Sequence, residues 1–222
     1  MTFVTVNLHG DNEGFQKLLK QIHLKDSDVL YVLGDSVDVG EQSMELLTDM
    51  SMRPNVYPLA GEHDLKALRM LSGFEKMLAN GSAPTPEFST EMTAWAQDGG
   101  MATLTGYRSL DAEMREGVLD YLSEFMLCDE IEVGKKTYFL AHAGLSNYSE
   151  DKFPEDYEPD EVFSTAVPDA DFFKTRTLVV GHVPTASGKI ERKDGVIYLD
   201  CGAMRGGRIG CLCLETDEEY YV

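Results

Sequence analysis

The chain has five histidines, and four of them, His9, His63, His142 and His182, each stand with a glycine in a short polar turn. The turns read Asn7-Leu8-His9-Gly10, Gly61-Glu62-His63-Asp64, His142-Ala143-Gly144 and Gly181-His182; another, Gly34-Asp35-Ser36-Val37-Asp38, adds two carboxylates. Imidazole nitrogens combined with carboxylate and amide oxygens suit divalent ions such as Mn²⁺, Fe²⁺ or Zn²⁺ better than a thiolate site would. Two such ions held close together can activate a water and neutralise a phosphoryl group during in-line displacement. Glycine beside the donors lets the backbone turn sharply beneath an ion. The residues alone point to a dinuclear metal site for phosphoester hydrolysis.

Such turns need rigid elements behind them. Phe3–Val6, Val29–Leu33, Val56–Leu59, Thr137–Ala141, Thr177–Val180, Val196–Leu199 and Ile209–Leu214 are short apolar runs that predict strands. Between them, Phe15, Leu18, Leu19 and Ile22 mark one face of a helix over Glu13–His23. Leu65, Leu68, Leu71, Phe74 and Leu78 mark a second helix, and Leu110, Met114, Val118, Tyr121, Leu122 and Phe125 a third. The alternation argues for an α/β fold, in which ligands gather where loops converge at the carboxyl ends of strands. Five strands run into the polar turns. Asn80–Thr93, rich in Pro, Ser and Thr, reads as a surface connection, and the acidic stretch Tyr148–Phe173 as a solvated, irregular excursion. No internal repeat or flexible linker divides the chain, so residues 1–222 are expected to form a single domain.

Composition narrows the function classes. Hydrophobic residues make up 43% of the 222 positions and charged residues 26%, the balance of a globular protein with a core. The formal net charge of −20 argues against a nucleic-acid partner and against docking on anionic lipid. No apolar run has the length of a membrane helix, and the first ten residues carry no signal-peptide pattern, so the expected location is the cytoplasm. Cys128, Cys201, Cys211 and Cys213 do not make a disulfide framework in a chain of this length; they read as buried, reduced packing residues.

The ordered set NLHG, GDSVDVG, AGEHD, HAG and GH resembles the calcineurin-like metallophosphoesterases. Within them it is similar to the phosphoprotein (serine/threonine) phosphatase branch, and particularly to its bacterial members, whose pattern is DxHG, GDxVDRG, RGNHE, HAG and GH. Trp95-Ala96-Gln97-Asp98-Gly99-Gly100, followed by Thr103-Leu104, resembles a further W-x-x-N-G-G-x-x-T-L stretch of those bacterial proteins. The run Tyr198–Ala203, with Gly206, Gly207, Cys211 and Leu212, resembles their closing strands. The likeness spans nearly the whole chain and implies two β-sheets sandwiched between helices.

The resemblance also implies roles. One of two divalent ions would be held by Asn7, His9 and a bridging Asp35, the other by Asp35, Glu62, His142 and His182. Asn7 stands where the family has aspartate and Glu62 where it has asparagine, so the ligand set keeps its two carboxylates while the Asn7 half should bind its ion more weakly. His63 matches the family's proton donor to the leaving group and Asp38 the carboxylate that orients it, a pair suited to general acid catalysis. Asp64 reads either as a further polar support or as a solvated helix cap. The family's phosphate-binding arginines are missing: their places fall at Val39, at Ala60 and near Phe163–Thr165, and no arginine lies between Arg115 and Arg176. Arginine holds phosphate through two parallel hydrogen bonds that valine and alanine cannot make. Arginines restored at Val39 and Ala60 are expected to point at a bound phosphate. Lys66 is a conceivable substitute.

Two functions follow. The first is a metal-dependent phosphoesterase acting on a phosphorylated small molecule or a phosphoprotein, with a degenerate phosphate clamp. The second is a catalytically impaired relative that serves as a metal-containing binding or regulatory protein.

Overall fold

The computed structural model describes every residue from Met1 to Val222. Its strands are β1 (Thr2–Thr5), β2 (Val29–Leu33), β3 (Val56–Leu59), β4 (Cys128–Val133), β5 (Lys136–Ala141), β6 (Arg176–Val180), β7 (Glu191–Lys193), β8 (Val196–Tyr198), β9 (Gly210–Cys213) and β10 (Glu219–Tyr221). They form two mixed sheets of five strands, in the orders β10-β9-β1-β2-β3 and β4-β5-β6-β8-β7. β1, β2 and β3 run parallel in the first sheet, and β5, β6 and β8 in the second. The helices are α1 (Asn12–Gln21), α2 (Ser43–Ser51), α3 (Glu62–Asn80), α4 (Pro86–Trp95), α5 (Met101–Arg108), α6 (Ala112–Ser123) and the single turn α7 (Pro159–Val162). No helix is long and apolar enough to cross a membrane.

The inner faces of the sheets meet directly. Val4, Val6, Tyr31, Leu33 and Leu59 of the first sheet and its strand ends pack with Tyr138, Leu140, Val179 and Leu199 of the second. These residues alternate along their strands with Phe3, Leu30 and Val32, which turn outward onto Phe15 and Leu18 of α1 and Ile22 just after it. Period-two alternation with both faces apolar explains why these strands read as continuous hydrophobic runs. Cys211 and Cys213 lie in the outer layer against α1, and all four cysteines are buried and unpaired, as expected of packing residues.

Two stretches differ from their sequence reading. Within 80–93, α4 begins at Pro86, whose ring suits a first helical position, and the Thr85 hydroxyl accepts the Phe88 N–H at 3.2 Å. Within 148–173, Tyr157, Val162 and Phe172 are buried and cover the outer face of the second sheet, packing on Phe139 and Leu178. Their apolar side chains are spaced irregularly among carboxylates, so no period betrayed them.

Candidate metal centre

The polar turns follow the carboxyl ends of β1, β2, β3, β5 and β6, which the two sheets bring to one edge of the sandwich. The Asn7, His9 and Gly10 amides donate to the carbonyls of Gly34, Asp35 and Ser36 at 3.1, 2.9 and 2.8 Å, lacing the first two turns together. Asn7, His9, Asp35, Asp38, Val39 and His182 all have positive φ, between 43° and 71°. Non-glycine residues seldom adopt that conformation, and strain concentrated at one site is retained where function needs it. Gly34 and Gly61 are required by close approach: a β-carbon would lie 2.4 Å from His142 Nδ1 at Gly34 and 2.2 Å from an Asp35 oxygen at Gly61.

Two groups of donor atoms converge there, His9 with Asp35 and His63, and Asp35 with His142 and His182. Asp35 belongs to both. His142 Nδ1 donates to the Leu33 carbonyl at 3.0 Å, which leaves Nε2 facing Asp35 Oδ2 at 3.3 Å and His182 Nδ1 at 3.1 Å. Glu62 Oε2 lies 3.4 Å from that same His182 nitrogen, on a half-exposed side chain at the rim. Lone pairs crowded in this way need a cation among them; a proton serves one pair, whereas a divalent ion serves all. On the other side, His9 turns Nε2 toward Asp35 Oδ2 at 4.0 Å, and Asn7 Oδ1 is buried without any hydrogen-bond partner. Orphaned acceptors are costly unless a ligand takes them up. These residues fit a pair of divalent ions.

The electrostatics agree. Burial pushes His9 below its ordinary value, toward the neutral imidazole that ligates metal. Burial works against the Asp35 carboxylate, but His142, His63 and His9 outweigh it and hold it well below the usual range. Asp64 is wholly buried rather than solvated: its oxygens accept the N–H groups of Ser36, Val37 and Gly61 at 2.9–3.3 Å, tying the second turn to the third. Burial and the neighbouring Asp35 push it up to about 7.

Beside this cluster stands the proton-transfer pair. His63 Nδ1 lies 2.8 Å from Asp38 Oδ2, which also accepts the Trp95 indole N–H at 2.7 Å. The Thr103 hydroxyl donates to Asp38 Oδ1 at 2.7 Å and accepts the Asp38 N–H at 2.9 Å. The motif around Trp95 and Thr103 is thus the frame of a fully buried carboxylate. Burial opposes charge on His63, but the Asp38 hydrogen bond and the Asp35 and Asp38 charges lift it to about 9. It therefore stays protonated at neutral pH, as a general acid must. A histidine raised above its ordinary value stabilises the fold fully below pH ~6.5, and that contribution disappears as pH rises through about 9. In chelator, the unfolding free-energy difference between wild type and His63→Gln should shrink by on the order of 3 kcal/mol between about pH 6 and pH 10. Denaturant titrations at those limits check this, and a pH-independent difference would contradict the assignment.

The missing clamp has a structural counterpart. Ala60 is fully buried in the core formed with Val37, Ala67, Leu71 and Trp95, so an arginine there would not point at a phosphate. That corrects the expectation for this position. Phe163 sets its ring against His142, the centroids 5.8 Å apart. Lys66 lines a cavity of about 410 Å³ adjoining the centre, shared with Glu62, His63 and Asp98. Two residues that sequence reasoning passed over line the central cavity of about 200 Å³ with Asn7, His9, Asp35 and His182: Asp200 and Arg205. Asp200 Oδ2 accepts the Asn7 side-chain N–H at 2.9 Å, which turns Asn7 Oδ1 the other way. The available signal was the run Leu199-Asp200-Cys201-Gly202, another strand ending in a carboxylate and a glycine.

Fold and site together define an α/β metallophosphoesterase sandwich. A model of the calcineurin-like phosphoesterase family matches residues 8–204, and the chain belongs to that family. Among solved structures, a candidate diadenosine tetraphosphatase is similar at 20% identity and a TM-score of 0.65, over 100% of this chain and 92% of that one. A serine/threonine phosphatase from Saccharomyces cerevisiae is similar at 13% identity and a TM-score of 0.62, over 95% of this chain and 71% of that one. A metallophosphoesterase from Sphaerobacter thermophilus is similar at 16% identity and a TM-score of 0.56, over 100% and 87%. No curated protein matches the sequence significantly.

Proposed function

We propose that this protein is a metal-dependent phosphoesterase, serine/threonine phosphatase-like in its site, that hydrolyses a phosphomonoester of a small molecule or a phosphoprotein. The observation that carries this reading is Asp35, shared by two histidine-bearing donor groups with the His63–Asp38 pair alongside. His9, Asp35 and Asn7 Oδ1 would hold one divalent ion, and Asp35, Glu62, His142 and His182 a second. Bound there, a pair of ions such as Mn²⁺ would neutralise phosphoryl charge and make a water acidic enough to attack at neutral pH. His63 gives its proton to the leaving oxygen, and Asp38, clamped by Trp95 and Thr103, keeps the imidazole in one tautomer and one orientation. Retention of that fully framed donor speaks for turnover over a binding role alone. The buried, unpaired cysteines support a reducing, cytoplasmic setting.

Hydrolysis of an aryl phosphate in added Mn²⁺ tests the proposal. Turnover should vanish on chelation, return with Mn²⁺, and be absent from Asp35→Asn, which removes the shared ligand. Glu62→Gln should weaken Mn²⁺ binding by roughly 10–100-fold in calorimetry. Hydrolysis that survives both chelation and Asp35→Asn would refute the reading.

A further inference from the structure

A phosphate dianion entering this site needs a cation besides any metal, and the structure offers one from a place the sequence motifs do not mark. The segment after β8 leaves Asp200, passes through a helical turn at Ala203–Arg205, and returns toward β9. Gly202 and Gly206, at φ of 79° and 80°, bracket that turn in the left-handed region. The Arg205 and Gly207 N–H groups both donate to the Gly202 carbonyl at 2.8 Å, and the Gly202 N–H donates to Asp200 Oδ1 at 2.8 Å. Asp200 is in turn bonded to Asn7. A chain of hydrogen bonds therefore ties the position of Arg205 to the donor cluster.

Its side chain is left free. Arg53, Arg69, Arg115, Arg176 and Arg192 each hold a carboxylate, and Arg108, which like Arg205 forms no ion pair, ends α5 and does not line the central cavity. Arg208, on the same segment, stacks over the Tyr221 ring at 5.1 Å. Arg205 forms no ion pair, although the net charge is −20 and the cavity it lines contains three carboxylates. The oxygens of the nearest in sequence, Asp200, are already taken by Asn7 and Gly202. An exposed guanidinium facing a cavity of metal donors, with no protein anion to hold, matches an anionic ligand. Lys66 is less suited, because the cavity it lines contains none of Asn7, His9, Asp35 and His182, whereas Arg205 shares its cavity with all four.

We propose that Arg205 is the phosphate-binding arginine of this protein, supplied by the segment between β8 and β9 in place of arginines after β2 and before α3. The proposal rests on the phosphoesterase reading and names the group that receives the substrate's phosphate. Loss of one such donor typically costs about 10²–10³ in rate.

Calorimetric titration of inorganic phosphate into the full Mn²⁺-treated chain tests it, with circular dichroism to verify folding. Arg205→Ala should weaken phosphate binding at least about tenfold and lower kcat/KM for an aryl phosphate by about 10²-fold. Arg205→Lys should fall between, since it keeps the charge but loses the two-pronged geometry. Arg208→Ala removes the same charge from the same segment and should leave phosphate affinity unchanged. Equal affinity in wild type and Arg205→Ala, or an equal loss in Arg208→Ala, overturns the proposal. If wild type takes up no Mn²⁺, the phosphoesterase reading fails. Phosphate binding that still depends on Arg205 would then sustain this inference, and no phosphate binding at all would end it.

Discussion

Asn7→Asp should destabilise the metal-free protein sharply and make its folding depend on a divalent cation. Asn7 and Asp200 are both buried, and the amide nitrogen of one meets a carboxylate oxygen of the other at 2.9 Å. Replacing that amide puts two carboxylates at hydrogen-bond distance, where they cannot both ionise without cost. The charge-assisted hydrogen bond, itself worth about 1.5–3 kcal/mol, is lost as well. Together these should cost on the order of 3–5 kcal/mol in chelator, the penalty typical of an uncompensated buried charge. For a chain of this size that lowers Tm by on the order of 10 °C. Added Mn²⁺ should recover most of it, because the second carboxylate then has a cation to serve. The exchange Asn7→Asp with Asp200→Asn reverses donor and acceptor, and should return metal-free stability to within about 1 kcal/mol of wild type. Thermal melts of the single and double variants, in chelator and in Mn²⁺, measure all of this. An Asn7→Asp melt unchanged in chelator would mean that Asp200 does not hold the Asn7 amide.

The second large effect is expected at Ala60. Its side chain is fully buried, and its N–H donates to the Met126 carbonyl at 2.7 Å, joining the end of β3 to the stretch after α6. Ala60→Arg would force a guanidinium among Val37, Ala67, Leu71 and Trp95, adding both overpacking and an unpaired charge. A loss of roughly 3–5 kcal/mol is expected, and accumulation of folded protein should suffer. Val39→Arg should be tolerated to within about 1 kcal/mol, because Val39 is 39% exposed and its β-branched side chain already strains a φ of 65°. Chemical denaturation of both variants decides the comparison. A stable Ala60→Arg that also raises turnover would show that the core leaves a channel at this point. An arginine can therefore be restored at Val39 but not at Ala60, where the core has no room for it.

Much of the fold was legible because its central strands are buried on both sides, and β3, at a sheet edge with Tyr57 exposed, still reads as an apolar run. Val29–Leu33 and Val56–Leu59 form the strands their apolar runs predict, residue for residue. β4 escaped notice because Asp129, Glu130 and Glu132 give it the look of a surface loop; it lies at a sheet edge, where carboxylates can reach water. α2 escaped for a similar reason: Ser43–Ser51 is short, and it follows directly on a turn rich in donors.

Residue type and local order determined which side chains could bind metal: histidines, carboxylates and an amide next to glycines at strand ends are a local pattern, readable without coordinates. The same holds for His63 and Asp38, whose motifs announce them separately. What only the tertiary structure decided is how charge is distributed around those residues. Asp200 lies 193 residues from Asn7 in the chain, yet its carboxylate sets which atom of the Asn7 amide faces the centre. Ala60 is shut into a core built by α3, α6 and Trp95, and Arg205 is left unpaired on a glycine-bracketed turn. Electrostatic and steric effects act through space over a few ångströms, so they depend on neighbours that the order of residues does not name.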